Sequence, residues 1–169
     1  PAAVLFNLGP CGRFDARPTA EMAEAACESA TSDGVAEGSV GAGTGLTVGK
    51  LRGKSGAMKG GFGVAVREGA GCAAAAMVAV NAFGDVRDGG GRIIAGARGA
   101  DGGFVDTARV IAEDGGERAF GSAAAAPAPN TTLAVVALDA AFTRVELQQV
   151  ARAATAAYHR RITPAGSTF

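Results

Sequence analysis

Glycine and alanine constrain this chain more than any motif does. Ten glycines fall between Gly38 and Gly63, out of 27 in 169 residues, and alanines supply a large share of the 48% that is hydrophobic. There is no tryptophan and a single tyrosine, Tyr158. Side chains this small let backbones approach closely and turn often. They exclude a core built on bulky aromatic rings. The length suffices for one domain with a real core.

Charge and cysteine content narrow the function classes. Sixteen basic and sixteen acidic residues cancel. The chain therefore carries no electrostatic footprint for nucleic acid or an anionic membrane. Cys11, Cys27 and Cys72 are odd in number, widely spaced and free of any CxxC pair. They read as buried structural thiols rather than zinc ligands or a disulfide framework. No metal or cofactor is expected. The richest apolar run, Cys72 to Val80, falls far short of the roughly 20 residues a bilayer requires. The chain opens on "PAAVLFNLG", already strand-like, and stops at "ITPAGSTF", just past a helix. It reads as a fragment of a cytoplasmic protein.

The order of elements gives a mixed α/β class. Ala2 to Leu8 reads as a buried strand closed by Gly9-Pro10. Pro18 to Ala30 reads as a helix with proline at its start and Glu21 in its first turn. Gly38 to Gly63 reads as a loop system rather than a core element, with Lys50, Arg52, Lys54 and Lys59 spaced along it. Two strands follow, Phe62 to Arg67 and Ala73 to Phe83, joined by a turn at Gly69 and Gly71. Gly84 to Gly103 is turn-rich, and Phe104 to Glu113 is either irregular or a short helix. Gly115 to Pro129 has the composition of an exposed linker. Leu133 to Leu138 is strand-like. Thr143 to Arg161 carries the clearest helix signature: Thr143 and Glu146 form a T-x-x-E capping box. Val145, Val150, Ala151, Ala154 and Tyr158 share one face of it, and Arg160 and Arg161 close its C-terminal end.

Several candidates for chemistry stand out. "GAGTG" from Gly41 to Gly45 resembles a phosphate cradle. It fails the dinucleotide pattern at Leu46, and no P-loop register fits, because Val48 or Thr44 stands where glycine is required. His159 is the sole histidine and lies among arginines at a helix end, a surface or capping position. Ser-His-Asp and Cys-His catalysis therefore have little support. Lys50 and Lys59 read as solvated surface lysines on composition alone. Asn81 is a polar amide at the end of an apolar strand, where it requires hydrogen-bond partners. It either braces a turn or points an N–H at a developing oxyanion.

Asn130-Thr131-Thr132 stands at the mouth of the strand that follows it. It fits a loop ending, an N-x-[ST] sugar acceptor, or a cut site. In the third reading, breaking the Asn130–Thr131 bond makes Thr131 an N-terminal residue with its own base beside it. An α-amine has a pKa of about 7.7–8.0, so near neutral pH it accepts the hydroxyl proton.

The segments "PAAVLFNLG", "GSVGAGTG", "GKLRGKSGAMKGGFG", "VAVNAFGDV", "NTTLAVVALDAAFT" and "ARAATAAYHRRITPAGSTF" occur in the order of one family and span essentially the whole chain. Together they resemble the P1 peptidases, the L-aminopeptidase/D-esterase family that includes β-aminopeptidases and nylon-oligomer hydrolases. The similarity is greatest to the branch with a threonine nucleophile. The resemblance implies an αββα sandwich of the N-terminal-nucleophile type, made as one precursor and cut in front of Thr131. It implies an α fragment ending at Asn130 and a β fragment starting at Thr131, assembled into αβ units and then oligomers. It places an oxyanion and substrate contact on Asn81 and a catalytic lysine on Lys50. Lys59 of "MKGG" and Thr132 are weaker matches to the site. Small peptides or amide oligomers are the implied substrates, with neither cofactor, nucleic acid nor membrane as partner.

Two departures accompany the resemblance. Phe6 stands where some members have an assisting tyrosine. The family's acidic D-G-D segment, which follows "TF", lies beyond Phe169. Three rival readings remain at this level: an inactive scaffold of the same fold, a nucleotide-binding protein using Gly41 to Gly45, and a secreted glycoprotein modified on Asn130.

Overall fold

The computed structural model describes residues 5, 15–69, 71–113 and 130–166. The strand expected over Ala2 to Leu8 (apart from Leu5), Phe6, Cys11 and the linker expected over Gly115 to Pro129 lie outside the described residues.

The central element is a three-stranded antiparallel sheet in the order β3-β4-β7. It comprises β3 (Gly61–Gly69), β4 (Cys72–Asn81) and β7 (Thr131–Leu138). β3 and β4 form the expected hairpin, and Gly71 takes φ +75° in its turn, a conformation that costs glycine little. The middle strand reads CAAAAMVAVN, so much of what it presents on the faces of the sheet is methyl groups. β7 runs along β4 in unbroken register from Ala74 opposite Leu138 to Asn81 opposite Thr131. The expected strand at Leu133 thus begins two residues earlier, on the two threonines.

Two smaller sheets meet the Asn81 end of this sheet. β1 (Thr47–Val48) pairs with β2 (Met58–Lys59). β5 (Asp85–Arg87) lies between β6 (Ile93–Ala95) and β8 (Ile162–Thr163). The buried core sits where the three sheets converge. Val48, Ala82 and Ile162 form its centre, with Met58, Val80, Val86, Ala95 and Tyr158 packed around them.

Three α-helices accompany the sheets among the described residues. α1 (Ala20–Glu28) is capped by Thr19, whose hydroxyl accepts from Met22 N, so Pro18 precedes the cap instead of opening the helix. No residue of α1 is buried, and Cys27 on it is exposed. Cys72 is half-buried at the hairpin turn, so neither described cysteine is the buried thiol expected from composition. α2 (Thr107–Glu113) resolves the ambiguous segment as a helix. α3 (Arg144–Arg161) has the expected capping box, with Glu146 N donating to Thr143 Oγ1 and Thr143 N donating to Glu146 Oε2 at 2.8 Å. Its expected inner face is only partly used. Val150, Ala154 and Tyr158 are half-buried, whereas Val145 is 64% exposed. Among the described residues no helix is long and apolar enough to cross a membrane.

The glycine-rich stretch corrects the sequence reading most sharply. It is largely irregular, yet Leu46 and Val48 within it are 2% and 1% exposed. Backbone-to-backbone packing explains why a loop can be core. A Cβ on Gly43 would collide with Gly38 O and Phe62 N, and one on Gly60 with Val80 O. These glycines let the loop lie flat on β3 and β4. Three amides of the stretch are engaged within it: Gly43 N, Thr44 N and Leu46 N donate to Val40 O, Gly41 O and Gly43 O.

Gly41 and Gly43 should separate the two uses of glycine. Gly43→Ala meets backbone atoms that cannot give way and should cost more than about 3 kcal/mol. Gly41→Ala has open space and only φ +49° to accommodate, for about 1 kcal/mol. Urea denaturation of both variants checks the ordering.

Candidate active site

The convergence of the sheets places three of the candidate residues together. Asn81 is the last residue of β4, is fully buried, and is the register partner of Thr131, the first residue of β7. Side chains of register partners lie on one face of a sheet, with Cβ atoms about 4.5–5.5 Å apart. The hydroxyl of Thr131 therefore shares a face with the carboxamide of Asn81. Asn130 is half-buried immediately before it. Thr132 pairs with Val80 and projects from the opposite face.

Lys50 completes the group from the glycine-rich stretch. Its Nζ donates to Asn81 Oδ1 at 2.8 Å and to the Asn81 carbonyl at 3.4 Å. Only 7% of Lys50 is exposed, so it is not the solvated surface lysine that composition indicated. Burial lowers its pKa from the ordinary lysine value to about 8. Thr47 N also donates to Asn81 Oδ1, at 3.2 Å. Two donors thus converge on one atom of the carboxamide. Only oxygen accepts from both, which fixes the flip of Asn81 and makes Nδ2 its donor end.

Lys59 is not drawn into this group. It lies on β2 opposite Thr47, and its side chain is exposed. His159 is also exposed, in the last turn of α3.

Sequence reasoning did not single out Asp85. It is fully buried four residues beyond Asn81. Its Oδ1 accepts from Ala97 N at 2.8 Å and Thr107 Oγ1 at 2.9 Å, and its Oδ2 accepts from Thr107 N at 2.7 Å. Burial raises its pKa, opposed by the three donated hydrogen bonds. Its one sequence signal is an acidic residue in the run Val78 to Val86, where the other polar side chain is Asn81. Among the described residues no group of three or more His, Cys, Asp or Glu side chains is placed to hold a metal.

This arrangement offers a hydroxyl, a fixed amide donor and a cation of lowered pKa at one end of a sheet. Those parts suit acyl transfer, in which an oxyanion must be stabilised and a hydroxyl deprotonated.

The lowered pKa of Lys50 has a consequence for stability. The unfolded lysine titrates near 10.4, so between about pH 8 and 10.4 the unfolded chain holds a proton that the folded chain has lost. Stability contributed by Lys50 therefore rises across that window, and burying the ammonium is a cost below it. Relative to Lys50→Met, the unsubstituted protein should gain on the order of 2 kcal/mol from pH 8 to 10.4, allowing for solvent screening. Denaturation of both proteins at several pH values checks this, and a flat difference would contradict it.

Comparison with known proteins identifies the family. The model of Peptidase family S58 matches residues 12–168. A protein of Mycobacterium leprae (strain TN) named an uncharacterized aminopeptidase is 35% identical over 175 residues, covering 98% of this chain and 45% of that protein. The chain thus spans a little under half the length of that curated relative. The relationship to L-aminopeptidase/D-esterase enzymes expected from the ordered segments is borne out, and the chain belongs to Peptidase family S58.

Proposed function

We propose that this chain is part of a self-processing amidohydrolase or aminopeptidase in which Thr131 becomes the N-terminal nucleophile. The observation that carries the reading is the register of Thr131 against Asn81, with Lys50 bound to the same amide. Membership of a peptidase family supports a peptide or amide substrate.

In processing, Thr131 Oγ attacks the carbonyl carbon of Asn130. The C–N bond breaks, the hydroxyl proton goes to the departing nitrogen, and an ester links Asn130 to Thr131 Oγ. Water hydrolyses the ester. An α fragment then ends in the Asn130 carboxylate, and a β fragment begins at Thr131 with a free amine. In turnover, that amine takes the proton of Thr131 Oγ as the oxygen attacks a substrate amide. The amine then protonates the leaving nitrogen, and the acyl group remains on Oγ until water, deprotonated by the same amine, displaces it. Asn81 Nδ2 donates to the oxyanion in each tetrahedral intermediate. The Lys50 ammonium holds Asn81 Oδ1, which aims Nδ2, and adds positive charge where negative charge develops.

The rest of the reading follows the family. The β3-β4-β7 sheet is one layer of an αββα sandwich, and the α and β fragments stay together as an αβ unit that oligomerises. Substrates are small peptides, amino-acid esters or amide oligomers. Lys59 and Thr132 lie outside the reacting group in this reading.

Intact-mass measurement of the full-length protein should show two fragments, one beginning at Thr131, and Thr131→Ala should remain one inactive chain. A Thr131→Ala protein that still cuts itself and hydrolyses amides contradicts the mechanism. Asn81→Asp keeps the acceptor for Lys50 and Thr47 but deletes the Nδ2 donor. It should fold and lose about 100- to 1,000-fold in kcat. An unchanged kcat would remove Asn81 from the oxyanion role.

A further inference from the structure

Lys50 has no regular element of its own to hold it. It follows Gly49, which takes φ +67°, and precedes a turn. Its position is set by two surfaces that sandwich the Gly49–Lys50 backbone. On one side, Gly49 N donates to Gly84 O at 3.0 Å and Lys50 N to Phe83 O at 2.8 Å. On the other, Gly49 lies flush against Gly96 and Ala97, so closely that a Cβ there would collide with Ala97 N and Gly96 C.

Asp85 ties the two surfaces together. It directly follows Gly84, and its Oδ1 accepts from Ala97 N. A Cβ on Gly96 would run into the same carboxylate, so the 96–97 backbone is pressed onto Asp85 as closely as Gly49 is pressed onto it. Thr107, fully buried at the start of α2, supplies the remaining two donors and anchors the carboxylate from behind. Asp106, just before α2, is paired with Arg87 at 2.8 Å, and its negative charge adds to the upward push that burial gives the Asp85 carboxyl. Asp85 itself is held by three uncharged donors.

Resting on the site reading above, we infer that Asp85 is a positioning residue for the reaction: it clamps the Gly96–Ala97 segment against Gly49 and thereby fixes the Lys50 ammonium on Asn81. Asp85 touches neither substrate nor nucleophile. Its effect passes through Ala97, Gly49 and Lys50 to the amide that faces the oxyanion. A buried carboxylate with three donors is costly to desolvate, and a packed alanine or leucine would close a core more cheaply. What the carboxylate adds is a defined spacing between three backbone segments, which an apolar side chain does not enforce.

The test uses the full-length, self-processed enzyme and rates per titrated active site. Asp85→Asn keeps the shape but turns one oxygen into an N–H donor facing another donor. The expected result is a kcat lower by tenfold or more with KM within twofold. The alkaline limb of kcat, expected near the Lys50 pKa of about 8, should also move toward the value of a solvated lysine as water reaches Nζ. A merely structural role would lower thermal stability and the fraction of active sites but leave kcat per site and the limb unchanged, and that result overturns the inference. Should Asp85→Asn fail to fold, Thr107→Val and Thr107→Ser decide. Loss of the hydroxyl donor in Thr107→Val should lower kcat and shift the limb, and Thr107→Ser should restore both. If Thr107→Val changes neither, the inference is wrong. Parallel assays of Lys50→Met and Thr131→Ala separate the two levels. If both variants keep full activity, the site reading fails. If both lose it while Asp85→Asn and Thr107→Val behave normally, only the positioning role fails.

Discussion

One oxygen atom organises this molecule. Asn81 Oδ1 takes a hydrogen bond from the Lys50 ammonium and another from the Thr47 backbone, in a place from which solvent is excluded. That double acceptance fixes which end of the amide donates. It also joins the glycine-rich stretch to the end of β4, so that a loop with little regular structure becomes part of the wall behind Thr131. The remaining architecture serves this junction. β7 starts opposite Asn81 because its pairing with β4 runs without a bulge.

Energetically the junction is expensive. A lysine almost out of solvent gives up several hydration contacts, and burial is the cause of its lowered pKa. Asp85 is more deeply buried, and burial pushes its carboxyl the other way, upward. Two such groups gathered at one strand end are more than a small core needs, since apolar packing would hold the same elements at lower cost. Both converge on the backbone around Gly49 and Asn81, which accords with the proposed site.

Much of this was legible in the sequence, though unevenly. The capping box at Thr143 and Glu146 marked the start of α3, because local chemistry decides a helix N-terminus. The hairpin of β3 and β4 was readable from its apolar runs and the Gly69–Gly71 turn. Asn81 was recognised as an amide that demanded partners, and its partners are there. Composition makes the glycine-rich stretch a loop system rather than a core element, because it does not reveal backbone packing: Leu46 and Val48 are buried. Composition makes Lys50 a surface residue for the same reason, and only resemblance to known peptidases singles it out. Val145 sits on the expected inner face of α3 yet is exposed, since periodicity says which residues share a face and not how far the sheet beneath extends. Asp85 went unnoticed because its three donors come from residues 97 and 107, a relation no local pattern encodes.

The central claim is that Thr131 carries the acyl group during turnover. It is tested most directly by trapping the intermediate. The full-length enzyme would be mixed with a slowly deacylating amino-acid ester, quenched in acid, digested, and mapped by mass spectrometry. The account predicts the acyl mass on the peptide that begins at Thr131, as an ester on Oγ that hydroxylamine removes. Stoichiometric acylation of another residue, with Thr131 unmodified, would contradict it.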